Sequence, residues 1–497
     1  MSRNSVIAGQ AGFSFGGFLF GQTARYAFNL LVARMLGAEF LGTYALAVAV
    51  IQIAEVFAVA GLDSALLRFI NLQGTEPLRR KEVIGSALKT SFLFSLCVFL
   101  LLVLFSGPIA SLLNGSGLLQ LALCCYAAAL PFNAAVSLSG HAIQGFRNLQ
   151  PKITAMHVVS PLLLLILTLL FRYAIGAEAA LCFPFALSAA GTFLWIRPRL
   201  SGITGTVSRD ILSSRIDRAM LSYALPFMGV SLLGMTTHWL DIVMLGMFTD
   251  TATVGMYHPA ARTAGIIRSV FIAFSGIAAP MIAELHAGSE SGEIERIFRM
   301  VTRWIVSIII PGTVVFMVLP DTVLGIFGPR FVPAGRALFI LSASSFLQAA
   351  FGLAATVLAM SGHARLSLLN ALSALVLQAA LNLLLIPLLG VNGAALSNLV
   401  VFLLLSLVRV AEVRVLLHIH PFGMALWKPL AAGLCSAAAL VAARPLLHGL
   451  SPLLSLVFGV VLTLAVYLFL MLLLKLEEEE KEIIFKVLPF INKQSGR

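Results

Sequence analysis

S-P-L-L-S-L-V-F-G-V-V-L-T-L-A-V-Y-L-F-L-M-L-L-L, residues 451–474, carries no charge from end to end. An α-helix needs about 20 predominantly apolar residues to cross a bilayer core, and this stretch supplies them. S-F-L-F-S-L-C-V-F-L-L-L-V-L-F at 91–105 is of the same kind, and similar runs recur along the whole 497-residue chain. Hydrophobic residues make up 60% of the chain and charged residues 11%, against about 25% charged in a soluble domain. Lipid must therefore be the solvent for most of its surface. Gly and Pro sit inside many of the runs, which membrane helices tolerate because neighbouring helices re-satisfy the freed backbone groups. An outer-membrane barrel would alternate apolar and polar residues with period two, and these runs do not. The expected class is all-α and polytopic.

Fourteen spans are expected, near 8–33, 40–62, 84–107, 117–139, 152–172, 176–196, 219–247, 254–282, 299–319, 334–360, 366–388, 391–412, 424–443 and 451–474. With the N-terminus in the cytoplasm, one set of ends collects Arg68, Arg79, Arg80, Lys81, Arg147 and Lys152 in the first half, then Arg296, Arg299, Arg303 and Arg365 in the second. Arg34, Arg172, Arg330, Arg336 and Arg444 fall on the other side. That asymmetry follows the positive-inside rule, so both termini are expected in the cytoplasm and the chain in the inner membrane. The net charge of +12 is a matter of loop orientation, because no polar segment is long enough to carry a nucleic-acid face. Cys97, Cys124, Cys125, Cys182 and Cys435 all lie in apolar segments at spacings that match no metal or redox motif, so no metal site is expected. The N-terminal apolar segment lacks a cleavage site and is expected to be retained.

The chain also repeats itself. F-G-Q-T-A-R-Y at 20–26 matches L-G-M-T-T-H-W at 233–239, and L-G-T-Y at 41–44 matches V-G-M-Y at 254–257, at one offset, since 234 − 21 = 255 − 42. G-A-E-A-A-L at 176–181 and G-V-N-G-A-A-L at 390–396 continue the series at nearly the same separation. Two six-helix lobes follow: 1–218 with a cytoplasmic linker, and 219–423. They are joined by two further helices in 424–476 and a cytoplasmic tail at 477–497 that bears the acidic run Glu477–Glu480. An even number of spans in each half makes the repeats parallel, a transporter architecture with the substrate site where they meet.

A-R-M-L-G-A-E-F-L-G-T-Y-A-L (33–46), G-L-D-S-A-L-L-R-F (61–69), V-G-M-Y-H-P-A-A-R (254–262) and N-L-L-L-I-P-L-L-G-V-N-G-A-A-L (382–396) together resemble the polysaccharide and O-antigen flippases of the multidrug/oligosaccharidyl-lipid/polysaccharide exporter superfamily. The resemblance runs over roughly residues 8 to 475. It implies two lobes around a central cavity, alternating access, and a lipid-linked oligosaccharide on undecaprenyl diphosphate as cargo, moved from the cytoplasmic to the outer leaflet. It also implies a glycan polymerase and glycosyltransferases as partners, and no catalysis or cofactor of its own.

A charge in mid-span costs roughly 2.5–3.5 kcal/mol on insertion scales, so one that persists has a partner or a purpose. Arg25 shares a helix face with Gln22 and Asn29; Arg262 follows His258 by one turn, and Arg268 lies deeper. Guanidinium forks can hold a diphosphate bidentately, and this set is the expected headgroup site. The competing reading pairs these arginines with Glu55, Asp63 or Asp241. Glu55 and Arg268 occupy equivalent places in the repeat, because 55 + 213 = 268, and a gating salt bridge between them is one expectation. Asp241, with His238 at i−3, is the candidate for coupling to H+. In related peptidoglycan-precursor flippases acidic and amide groups on the seventh and eleventh spans bind sodium. Here Asp241, Gln378 and Asn382 fall in comparable places, which makes Na+ the other coupling ion to consider.

Two other functions compete. A multidrug exporter of the same superfamily would prefer an acidic cavity and twelve spans. A membrane-embedded sugar polymerase or acyltransferase would need a catalytic constellation on a sizeable external loop, and none stands out.

Overall fold

The computed structural model describes residues 3–72, 77–204, 214–288, 290–447 and 449–474. The tail with its acidic run, and residues 205–213 of the 197–218 linker, lie outside the described residues. The helices are α1 (Arg3–Met35), α2 (Ala38–Val59), α3 (Leu62–Leu72), α4 (Pro77–Leu112), α5 (Gly117–Ala127), α6 (Leu130–Gly145), α7 (Gln150–Ala174), α8 (Ala177–Thr204) and α9 (Arg218–Phe248). They continue with α10 (Thr251–Ala287), α11 (Ser291–Val318), α12 (Pro320–Gly325), α13 (Gly335–Phe351), α14 (Leu353–Met360), α15 (Ala364–Leu389), α16 (Val391–Leu417), α17 (Trp427–Leu447) and α18 (Pro452–Leu473).

Among the described residues, eleven helical segments are long and apolar enough to cross a membrane, and α5 with α6, bent by 40° at their junction, makes a twelfth if the pair is one span. α1 and α16 occupy the first and twelfth expected positions. The chain is an all-helical, multi-pass membrane protein. Its outward-facing side chains agree: Leu104, Leu388 and Leu434 are 71%, 72% and 74% exposed, which only an apolar solvent rewards.

Several expected spans are interrupted, each for a local reason. The second does not end near residue 62 but turns at Ala60 and Gly61 and continues as α3. Gly61 has φ +70, and a Cβ there would stand 2.3 Å from the Ala224 carbonyl oxygen of α9, so this position needs glycine for both conformation and space. The fourth breaks between α5 and α6, where Pro131 opens the new helix. The fifth contains a π-helical turn at Ala155–Val159. Asp217 caps α9 by accepting from the backbone N–H of Ala219 and Met220 at 2.9 and 3.1 Å.

By internal contacts the chain forms two compact units. The first comprises Met1–Pro259 with Ala371–Ser397, and the second Ala260–Asn370 with Asn398–Arg497. In the first, Leu66, Ile70, Ile84, Leu138 and Ile143 form a common core, joined by Met220 and Ala224 of α9. In the second, Ile297, Phe298 and Ile305 of α11 pack with Leu353, Val357 and Leu358 of α14.

Candidate functional site

The polar groups of the first unit are placed by two close helix contacts. On α1, Gly17 and Gly21 form a small-xxx-small pair. A Cβ on Gly21 would lie 2.9 Å from both Cβ and the carbonyl oxygen of His157, so α1 rests against the π-turn of α7. π-Turns of this kind recur at functional sites. The second contact crosses α2 with α10. A Cβ on Gly42 would fall 1.7 Å from the Thr251 carbonyl oxygen, and one on Gly255 would fall 1.8 Å from that of Ala38.

With α1 so placed, Gln22, Arg25 and Asn29 share a face as the spacing predicts. The Arg25 guanidinium donates to Gln22 Oε1 from Nε and Nη2, at 3.4 and 3.2 Å. Among the described residues no carboxylate pairs with it. Asn29 is buried and its Nδ2 donates to the Arg25 carbonyl at 2.8 Å. Its Oδ1 therefore accepts, and His258 Nε2 lies 3.1 Å away as the donor. His258 is fully buried; the Trp239 ring lies parallel to it at 6.4 Å, and the Tyr44 ring stands edge-on at 6.3 Å. Trp239 in turn donates through Nε1 to Gln52 Oε1 at 3.1 Å. Two hydrogen bonds, Asn29 to His258 and Trp239 to Gln52, and the ring contact between His258 and Trp239 thus link α1, α10, α9 and α2.

Asp241 is buried on α9 and accepts from the Tyr257 hydroxyl at 2.6 Å. That is the length of a hydroxyl bonded to a carboxylate. Its helix neighbour His238 is exposed and packs edge-on to Trp239 at 5.2 Å. Asp63 opens α3 and accepts from its own neighbour, the Ser64 N–H, at 2.8 Å. Glu55 lies half-buried on α2. Gln378 and Asn382, one turn apart on α15 in the same unit, are buried, and among the described residues Gln378 Nε2 and both amide atoms of Asn382 have no hydrogen-bond partner. Unpaired amides at such depth are costly. In the second unit, Arg262 is half-buried one turn beyond His258, and Arg268 donates to Gln348 Oε1 at 3.2 Å.

The structure therefore gathers Gln22, Arg25, Asn29 and His258 into one bonded set and gives Asp241 a tyrosine partner. Tyr257, Tyr44, Trp239, Gln52 and Gln348 are members of these networks that sequence reasoning had not assigned. Tyr44 and Tyr257 were visible only as a matched pair in the repeat.

A family profile described as polysaccharide biosynthesis protein matches residues 10–286, more than half of the chain. The chain belongs to that family. Its resemblance to a probable low-salt glycan biosynthesis flippase, Agl15 of Haloferax volcanii, is 24% identity over 459 residues, 90% of this chain and 92% of the relative. A second Haloferax volcanii protein, the probable flippase AglR, is 27% identical over 190 residues, 35% of this chain and 38% of that one. Among solved structures the family fold is matched by the lipid II flippase MurJ in an inward closed conformation. The TM-score is 0.75 at 12% identity, over 96% of this chain and 99% of that one. An inward-facing multidrug transporter of the MATE family, within the MOP superfamily, matches with TM-score 0.67 at 17% identity, over 82% and 98%. At these identities the likenesses show the fold that this chain shares with both structures.

Proposed function

We propose that this protein is a flippase that carries an undecaprenyl-diphosphate-linked oligosaccharide from the cytoplasmic to the outer leaflet of the inner membrane, for O-antigen or other cell-surface polysaccharide assembly. The observation that carries the reading is Arg25. It lies within a span, its fork rests on a neutral amide, and no carboxylate among the described residues balances it. An unbalanced guanidinium in a low-dielectric setting suits an anionic ligand that comes and goes. The kinship with flippases in glycan assembly supports a phosphate-bearing glycolipid as that ligand. Arg262 and Arg268 are the further headgroup contacts, with Gln22, Asn29 and His258 as polar support.

Binding favours closure only if the headgroup has different affinities for the two states. Resetting is assigned to an ion. Asp241 with Tyr257 serves if it is H+, and the unpartnered amides of Gln378 and Asn382 suit Na+. A polymerase and glycosyltransferases are the expected partners, and the basic loop ends set the cytoplasmic face.

The test is export of surface glycan in cells whose only copy is Arg25→Ala or Arg262→Ala, with abundance and membrane insertion measured in parallel. Loss of export at normal abundance supports the headgroup role. Unaltered export in both refutes it. Export restored by Arg25→Lys would show that charge suffices and the bidentate fork does not matter.

A further inference from the structure

On the basic end of the second unit, α11 faces the loop that leads into α17 across a cavity of about 300 Å³. Its walls carry Arg296, Arg299 and Arg303 with Glu295, and Glu293, one turn before Arg296, pairs with that arginine at 3.7 Å on the exposed side. The three arginines recur at i, i+3 and i+7, so they stand on one face of α11. The opposite face buries Ile297, Phe298 and Ile305 in the core. Two carboxylates do not balance three guanidiniums, and Glu295 serves Arg299. It accepts from Arg299 at 2.5 Å, and Arg299 also reaches His420 Nε2 at 3.0 Å, which fixes one guanidinium as the rigid back of the cavity. The Arg299 Nε is buried and donates to none of the described residues.

The rim is apolar. Met300, Met424, Ala425 and Leu426 line it, with Met424 93% exposed, and Phe422 and Trp427, 46% and 52% exposed, flank the same loop in sequence. A loop that presents Phe, Met and Trp beside arginines, where helices leave the bilayer, has the chemistry of the headgroup layer. Basic pockets between spans on the cytoplasmic side are lipid headgroup sites by their electrostatics.

We propose that this cavity binds the phosphate of an anionic membrane phospholipid. Arg296 and Arg303 grip the phosphodiester while its acyl chains run past Met424 and Trp427. The site is separate from the headgroup contacts proposed for transport and does not depend on them.

The acidic run Glu477–Glu480 is the rival occupant, because Met471 and Tyr467 of α18 share a cluster with Leu426 and with Val306 of α11. A peptide carboxylate, however, has no use for the apolar rim.

The test uses the full chain in detergent, titrated with phosphatidylglycerol, phosphatidylcholine or inorganic phosphate, with lipid retention read by native mass spectrometry and unfolding temperature followed throughout. Wild type should retain phosphatidylglycerol over phosphatidylcholine, and R296Q/R303Q should weaken that binding roughly thirty-fold with an unchanged unfolding temperature in phosphatidylcholine. R296K/R303K, which keeps the charge, should recover most of it even if the glutamine variant folds poorly. Equal phosphatidylglycerol retention in wild type and R296Q/R303Q would overturn the proposal. So would stabilisation by inorganic phosphate alone to the same degree, which would mark a free-anion site. Phosphatidylglycerol binding that appears only after Glu477–Glu480→Gln would give the cavity to the tail instead.

Discussion

Gly42 and Gly255 each stand where the partner helix leaves no room for a side chain, and they do so reciprocally. The Cβ that Gly42 lacks would strike the Thr251 carbonyl, and the one that Gly255 lacks would strike the Ala38 carbonyl. Since 251 − 38 = 255 − 42 = 213, the same contact is made twice around a local pseudo-two-fold axis. The repeat read from sequence is thus a physical crossing of α2 with α10 at backbone distance.

Substituting either glycine should therefore have the same consequence. Gly42→Ala and Gly255→Ala each force the two backbones apart, an overpacking whose usual cost is about 1–3 kcal/mol. Thermal unfolding of the purified protein should fall for both by similar amounts. A variant pair in which one glycine is silent would show that the crossing is not symmetric in the folded protein.

At this crossing the two copies match in backbone and differ in chemistry. Tyr44 and Tyr257 are equivalent, and so are Phe28 and Asp241, because 28 + 213 = 241. Tyr44 meets Phe28 ring to ring at 5.0 Å, whereas Tyr257 donates its hydroxyl to Asp241 at 2.6 Å. Tyr257→Phe leaves a buried carboxylate short of a donor and should cost about 1–3 kcal/mol. Asp241→Asn should cost less than Asp241→Ala. In a Tyr257→Phe/Asp241→Asn double variant the losses should fall short of their sum, because one bond is being removed twice. Strict additivity in the unfolding data would dissolve the pair.

How much of this was legible beforehand depends on which physical signal each feature leaves in sequence. The spans were readable because lipid demands long apolar runs, and the Gln22–Arg25–Asn29 face because helical spacing is fixed. The bond from Asn29 to His258 was not readable: 229 residues separate the partners, and tertiary packing brings α1 and α10 together. Tyr257 escaped notice as Asp241's partner because a tyrosine in an apolar helix has no charge to flag it. The breaks at Gly61 and Pro131 had their residues in plain view, yet a hydropathy window averages over them.

Outside the membrane, Asp250 accepts from the Thr253 N–H at 2.9 Å at the start of α10. Its bonds with Thr253, through the side chain first and then the backbone, hold the Asp250 carboxyl below its ordinary range. The folded value lies under the unfolded one, so the contribution is present above the unfolded pKa and fades as pH falls through the folded value. Asp250→Ala should lower stability by roughly 0.5–2 kcal/mol at neutral pH, as for lost N-caps. The gap between variant and wild type should narrow in acid. Unfolding temperatures measured across pH 3 to pH 7 check this, and a gap that widens in acid would contradict the sign.

Asn29 is the joint between the arginine of α1 and the histidine of α10, using both ends of its amide. Asn29→Ala strips an acceptor from a fully buried imidazole and a donor from the Arg25 carbonyl, and should destabilise by about 1–3 kcal/mol. Asn29→Asp keeps the acceptor and the volume, but adds a charge beside His258 and near Arg25. A carboxylate there competes with an anionic ligand for the guanidinium. Glycan export by Asn29→Asp should therefore fall more than stability does, whereas Asn29→Ala should lose both together. Parallel export and unfolding measurements separate the two cases. Full export in Asn29→Asp would mean that Arg25 acts without regard to the charge beside it.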